Sequence, residues 1–290
     1  MGETWTILRV IQWTSEYFVR KGIDQPRANA EVLLAHVLHM ERLELYLHYD
    51  KPLTSQELSL YREMVRRRGR REPTQYITGR QEFWSLELEV TPAVLIPRPE
   101  TELLVEKALE ILKDRPARLL DLGTGSGAVA VALAHENPGL RVVASDRSWP
   151  ALQVARRNAW RHGLQQRVFP VAMDLFSALK SHRPFFDGIL SNPPYVGERE
   201  FPHLPPEIRD YEPAGALRGG GLEGTDIIRR ILREAPPFLK PGGFLLLEIG
   251  YGQEELLERE TAQNPHFQDH RFWRDYAGIP RILQATKTER

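Results

Sequence analysis

The chain has 290 residues, a formal net charge of zero, 41% hydrophobic and 27% charged residues, and no cysteine. That length allows two domains, and the composition is that of an ordinary soluble protein rather than a disordered or membrane-spanning one. Disulfides, thiol nucleophiles and cysteine-held zinc or iron are excluded, the nine histidines show no metal-ligand spacing, and neutrality argues against extended tracking along nucleic acid.

The start, Met1-Gly2-Glu3-Thr4-Trp5, lacks a basic region followed by an apolar core, so a cytoplasmic location is expected. From there to about residue 70 the pattern is helical. Trp5, Ile7, Leu8, Val10, Ile11, Trp13, Tyr17, Phe18 and Val19 form a broad apolar stripe. Residues 28–40 carry Ala30, Val32, Leu33, Leu34, Val37 and Leu38, and residues 55–68 carry Leu58, Leu60, Tyr61 and Met64 after the start signal Thr54-Ser55. Three or more short helices predict a small bundle that packs mainly on itself as a separate domain, the alternative being a cap on the sheet domain. It ends in a basic run, Arg66, Arg67, Arg68, Arg70 and Arg71, which reads as a solvated helix end or as a contact for an acidic partner or RNA backbone.

Tyr76-Ile77-Thr78-Gly79 and residues 83–90 alternate as strands around a glycine turn and predict a β-hairpin. Leu95-Ile96-Pro97-Arg98-Pro99-Glu100-Thr101-Glu102 then passes from extended chain into a helix through Leu103, Leu104, Val105, Ala108, Leu109 and Leu112. The two prolines there read as a stiff lead-in to that helix.

Beyond Arg118 strand and helix alternate, which predicts a parallel sheet with right-handed crossovers. Leu119-Leu120-Asp121-Leu122 is a buried strand, Gly123-Thr124-Gly125-Ser126-Gly127 a tight turn, and residues 128–134 a helix. Residues 141–146 make the second strand. The glycines let backbone approach a ligand, the following helix aims free N–H groups at an anionic group, and Asp146, about twenty residues further on, can accept from the hydroxyls of a ribose. A nicotinamide dehydrogenase uses the same logic, but its G-x-G-x-x-G fingerprint is not met by G-x-G-x-G preceded by Asp121. Residues 149–163 predict a helix with Leu152, Ala155, Ala159 and Trp160 inward. Residues 168–173 form a third strand ending at Asp174-Leu175-Phe176, where Asp174 can take an adenine amino group or cap the next turn.

The fourth strand, Phe186-Asp187-Gly188-Ile189-Leu190-Ser191, must end at Asn192-Pro193-Pro194-Tyr195, because consecutive prolines cannot donate to a sheet. The Asn192 side chain and the Pro193 carbonyl can together take both hydrogens of a planar NH2 group, on which Tyr195 can pack. An amide nitrogen is a poor nucleophile because its lone pair is delocalised. Two acceptors orient that pair and stabilise the positive charge that develops on alkylation, so the stretch points to alkylation at nitrogen. Further on, Gly219-Gly220-Gly221 is no phosphate loop, residues 225–235 and 253–260 read as helices, and residues 243–249 form a fifth strand. Trp273 and Tyr276 read as core or edge packing.

The glycine turn, Asp146 and Asn192-Pro193-Pro194-Tyr195 together resemble the class I S-adenosylmethionine-dependent methyltransferases that act on planar nitrogens. Residues 72–79, Glu82-Phe83, residues 94–102, Tyr211-Glu212-Pro213 and the stretch from Leu239-Lys240-Pro241-Gly242-Gly243 to Glu248 resemble more narrowly the HemK family, the release-factor glutamine methyltransferases. The resemblance implies an α/β fold with a Rossmann-like seven-stranded sheet, in which residues 267–273 and 281–285 would form the antiparallel closing pair. Residues 1–72 would be a helical substrate-recognition domain, 73–97 a β-hairpin linker and 98–290 the methyltransferase domain. It implies methyl transfer from S-adenosylmethionine to the glutamine amide of the Gly-Gly-Gln motif in class I peptide chain release factors. Gly123, Thr124, Gly125, Ser126 and Gly127 would hold the cofactor's methionine end, Asp146 its ribose, and Asp174 with Leu175 would lie beside its adenine. Asn192, Pro193, Pro194 and Tyr195 would bind the substrate amide, with Asn192 also beside the cofactor. Some relatives carry an aromatic residue where Leu175 stands. The reaction expected is direct in-line displacement, with no metal, covalent intermediate or assigned general base. The enzyme is expected to be a monomer that needs neither membrane nor direct nucleic-acid contact. A ribosomal-protein glutamine, a flipped DNA adenine and a non-catalytic binding module are the other readings.

Overall fold

The protein is described by a computed structural model covering residues 4–179 and 184–289; the reading of Met1-Gly2-Glu3 lies outside these residues. The chain divides into two compact units, one formed by residues 1–79 and 206–211, the other by residues 80–205 and 212–290.

In the first unit the helices are α1 (Ile7–Arg20), α2 (Pro26–Leu38), α3 (Arg42–Leu47), α4 (Ser55–Gly69) and α5 (Thr74–Thr78). Thr6 caps α1 by accepting from the Arg9 N–H, and Thr54 with Glu57 forms a reciprocal capping box on α4. Ile7, Val10, Phe18, Leu33, Leu34 and Tyr61 make a core of its own, as the apolar spacing requires. Arg66, Arg67, Arg68 and Arg71 of the basic run find acidic partners within this unit. Arg66 pairs with Glu63 and Arg67 with Glu72. Arg68 is 6% exposed and donates to Asn29 Oδ1 at 2.8 Å and to Glu207 Oε1 at 3.1 Å. The solvated reading therefore fails for Arg68, whose charge is buried and matched by Glu207. The Tyr211 hydroxyl donates to the Arg70 carbonyl at 2.6 Å.

The expected strand at Tyr76–Gly79 is instead helix α5, because Pro73 starts a helical turn and Gly79, at φ 73°, ends it. The second unit opens with the hairpin itself, β1 (Arg80–Phe83) and β2 (Leu86–Glu89), which turns at Trp84-Ser85. Both turn residues have positive φ (54° and 57°), the twist a two-residue hairpin demands, here without glycine.

Helix α6 (Glu102–Leu112) follows, then β3 (Ala117–Leu122), α7 (Ala128–Glu136), β4 (Leu140–Asp146), α8 (Trp149–Arg161), β5 (Val168–Ala172), β6 (Phe186–Ser191), β7 (Leu239–Glu248), β8 (Phe267–Arg274) and β9 (Pro280–Lys287). The last seven strands form one sheet in the order β5-β4-β3-β6-β7-β9-β8, parallel from β5 to β7 and antiparallel for β9 and β8. Strand alternation sends Leu119 and Leu246 to one apolar layer, with Leu104 and Val129, and Leu120, Leu122, Leu245 and Leu247 to the other, with Ile228 and Leu232. Two aromatic expectations fail. Trp160 is 65% exposed, since Leu152, Ala155 and Ala159 define the inward face of α8 and the next residue is rotated away. Tyr276 is fully exposed in the turn between β8 and β9, whereas Trp273 is half-buried and donates to Gln284 Oε1 at 2.8 Å.

Candidate active site

Chain order runs outward from β3 through β4 to β5, then returns to β6 on the other side of β3, so the carboxyl tips of β3 and β6 flank the switch point of the sheet. Leu122 pairs with Ser191 and Ser145, which brings Gly123, Asp146 and Asn192 to adjacent tips although they are far apart in sequence. Ser191 ties two of these tips together, its hydroxyl donating to the Leu122 carbonyl at 2.7 Å.

A cavity of about 310 Å³ opens there. Of the residues singled out in the sequence, Gly123, Thr124, Gly125, Ser126, Asp146, Asp174, Leu175, Asn192 and Pro194 line it; Gly127, Pro193 and Tyr195 do not. Gly123 and Gly125 sit at φ 69° and 55°, where a side chain is disfavoured. Gly127 instead faces α8, where an added Cβ would stand 3.1 Å from Ala155 Cβ, so it sets the packing of α7 on its neighbour. Asp146 accepts from the Gly125 and Ser148 N–H groups at 3.0 and 2.8 Å, which fixes both the loop and the carboxylate. Asp174 pairs with Arg230 at 3.2 Å.

The sequence reading gave Asp121 no role beyond its place before the glycines. It lines the cavity, is 2% exposed, and accepts from the Thr124 hydroxyl at 2.6 Å. Burial pushes its carboxyl up to about 7, the Thr124 bond opposing and the Asp146 charge adding to the shift.

At the β6 tip the Asn192 amide Nδ2 donates to Thr101 Oγ1 at 2.9 Å, and the Thr101 hydroxyl donates to Glu248 Oε2 at 2.7 Å. The Tyr195 hydroxyl donates to the other oxygen of Glu248 at 3.3 Å. Tyr195 thus lies behind the cavity wall, its hydroxyl turned to a buried acid. Burial also pushes the Glu248 carboxyl up to about 7, against the Thr101 and Tyr195 hydrogen bonds. Glu212, 5% exposed, accepts from the Ile96 N–H at 3.3 Å and pairs with Arg98, so the Pro-Arg-Pro segment is tied at its side chain as well as stiffened by its prolines. Gln253 donates to the Tyr195 and Glu223 carbonyls at 3.0 and 2.8 Å and holds the loop after the prolines.

Thr101, Glu212 and Glu248 had no assigned role. The one available signal was Glu248 itself, an acid closing the apolar run Phe244-Leu245-Leu246-Leu247. A charge at the end of a central strand needs a partner.

Comparisons with known proteins place relatives beside both parts of the chain. Residues 9–79 match the family described as the PrmC N-terminal domain, and residues 99–203 that described as the methyltransferase small domain. A release factor glutamine methyltransferase of Geobacter sulfurreducens is 46% identical over 253 residues, covering 87% of this chain and 87% of that protein. One of Rhodopirellula baltica is 40% identical over 288 residues, covering 98% and 97%. Among solved structures, the Thermus thermophilus 16S rRNA N2 G1207 methyltransferase in complex with AdoMet and guanosine superposes with a TM-score of 0.52 at 23% identity, over 72% of this chain and 49% of that one, which shows a common fold.

Proposed function

The chain belongs to the release factor glutamine methyltransferase family, and from that premise we propose that it methylates the side-chain amide nitrogen of the glutamine in the Gly-Gly-Gln motif of class I peptide chain release factors, using S-adenosylmethionine. The observation that carries the reading is the meeting of the glycine turn and Asn192 on one cavity wall. One supplies a backbone cradle and the other an amide acceptor.

The residues present fit the cofactor. Gly123 and Gly125 leave room where side chains would stand, Asp146 offers carboxylate oxygens of the type a ribose needs, and Leu175 and Met173 supply apolar wall. Asp121 adds a buried acid suited to a cation. When bound, S-adenosylmethionine supplies a methyl group on a sulfonium that leaves as a neutral thioether. Asn192 Oδ1, on the cavity wall, accepts one hydrogen of the substrate amide, which orients its nitrogen and offsets the charge that develops there; the second acceptor expected, the Pro193 carbonyl, is not among the residues lining the cavity. Tyr195 packs behind the wall. The surplus proton passes to water, and no side chain is assigned as base. The fit to a cytosolic translation factor implies a cytoplasmic setting, and no helix among the described residues is long and apolar enough to cross a membrane.

Pure protein incubated with methyl-labelled cofactor and, separately, release factor, ribosomal protein and DNA tests this. Label is expected on the release factor and lost when its motif glutamine is replaced. Label on ribosomal protein or DNA alone overturns the reading.

A further inference from the structure

An amide side chain can present either its oxygen or its nitrogen to a given neighbour, and only the surrounding donors and acceptors decide which. Asn192 meets Thr101, whose hydroxyl has a single proton. That proton is committed to Glu248 Oε2 at 2.7 Å, so Thr101 Oγ1 has only lone pairs left for Asn192. Asn192 must therefore turn Nδ2 toward it, as the 2.9 Å bond shows, leaving Oδ1 as the free end of the amide. Among the described residues no hydrogen bond to Oδ1 competes with a substrate.

Three elements converge to make this chain of bonds. Ser191 of β6 pairs with Leu247 of β7, so Asn192 and Glu248 follow side by side at neighbouring tips. Thr101 comes from the turn that starts α6, 147 residues from Glu248 in sequence. Thr101 is 4% and Glu248 1% exposed, so water does not compete for either. The same carboxylate receives the Tyr195 hydroxyl. One buried acid thus reaches two members of the Asn-Pro-Pro-Tyr stretch, and an uncompensated buried acid is too costly to be kept without such partners.

We propose that Glu248, acting through Thr101, is the positioning residue that fixes the amide of Asn192 with its oxygen toward the substrate nitrogen. This deepens the function proposed above and rests on it. Protonation of Glu248 on Oε2, the oxygen that faces Thr101, turns that oxygen into a donor to Thr101 Oγ1 and frees the Thr101 proton. The hydroxyl can then donate to Asn192, whose amide turns over and sets an NH2 group against the NH2 of the substrate. The ionised form is the competent one. The groups facing Glu248 are the Thr101 and Tyr195 hydroxyls, Glu100, which opposes its ionisation, and Arg281, which favours it.

The test measures kcat on release factor at saturating cofactor and substrate, from about pH 6 to about pH 9, for wild type, Thr101→Val and Thr101→Ser, with cofactor Kd by calorimetry and Tm as controls. In the wild type kcat is expected to rise with pH through an ionisation near 7. Thr101→Val is expected to lose about tenfold or more in kcat at pH 8, to lose that rise, and to keep its cofactor Kd, while Thr101→Ser restores both rate and rise. Wild-type kcat in Thr101→Val, a lowered kcat that keeps the rise, or an equal loss in Thr101→Ser would overturn the proposal. If Thr101→Val does not fold, a wild-type kcat flat through neutral pH overturns it, and a rise abolished by Glu248→Gln supports it. Absence of any methyl transfer to release factor by the wild type counts against the parent reading and not against this one.

Discussion

The two halves of the cavity rim are built from different materials. On the β3–β4 side the wall is backbone: two left-handed glycines, N–H groups, and a carboxylate pinned by two of them. On the β6–β7 side the wall is the side chains of Asn192 and Thr101, held from behind by Glu248 and Tyr195 in a relay drawn from three separate stretches of chain. Backbone geometry is written in a short run of residues. A side-chain relay is not.

If the halves divide the work, one binding cofactor and the other orienting the amide, variants should separate affinity from turnover. The largest effect is expected for Asn192→Ala, with kcat down about 100- to 1,000-fold and cofactor Kd nearly unchanged by calorimetry. Equal loss of both would erase the distinction. Gly125→Ala should do the reverse. Its added methyl group meets only the Gly123 carbonyl oxygen, at 4.0 Å, but φ 55° disfavours a side chain, so cofactor Kd should rise about tenfold while kcat at saturation holds.

Asp121 sharpens the contrast through pH. Its carboxyl holds a proton up to about 7 in the free protein, and a cationic ligand favours the ionised form, so cofactor binding should tighten as pH rises toward 7 and then level off. Titration calorimetry should show a change of a few-fold, abolished in Asp121→Asn. Stability carries the opposite sign. A raised folded pKa gives a contribution fully present below the ordinary carboxyl range, near pH 4, and lost as pH rises through 7, so Asp121→Asn should flatten that part of the decline in Tm. The smallest effect is expected away from the rim: Trp160→Ala on the exposed face of α8 should change unfolding free energy by less than about 0.5 kcal/mol in a denaturant melt.

The same contrast explains what could be read in advance. The parallel strands and the placing of Gly123, Asp146 and Asn192 at strand tips follow from apolar runs and their terminators, which are local signals, whereas the closing antiparallel pair was implied by the family resemblance alone. Trp160 was misplaced because an aromatic at the edge of an apolar stripe carries no sign of which side it takes. The hairpin turn was misplaced because Gly79 ends a helix while Trp84-Ser85 makes the bend unaided. Thr101 and Glu212 were silent as sites because their partners, Asn192, Glu248 and Ile96, lie up to 147 residues away, and no local pattern encodes such a meeting.

The excursion of residues 206–211 into the first unit has a consequence for how the protein can be taken apart. Glu207 neutralises Arg68 and Tyr211 seals the end of α4, so a fragment stopping at Gly79 would leave a guanidinium interred without its counter-ion. No single scission yields the helical unit whole. Modules that look like beads on a string in the sequence are joined where the chain crosses at 79–80, 205–206 and 211–212, and the helical unit should need that later segment to mature.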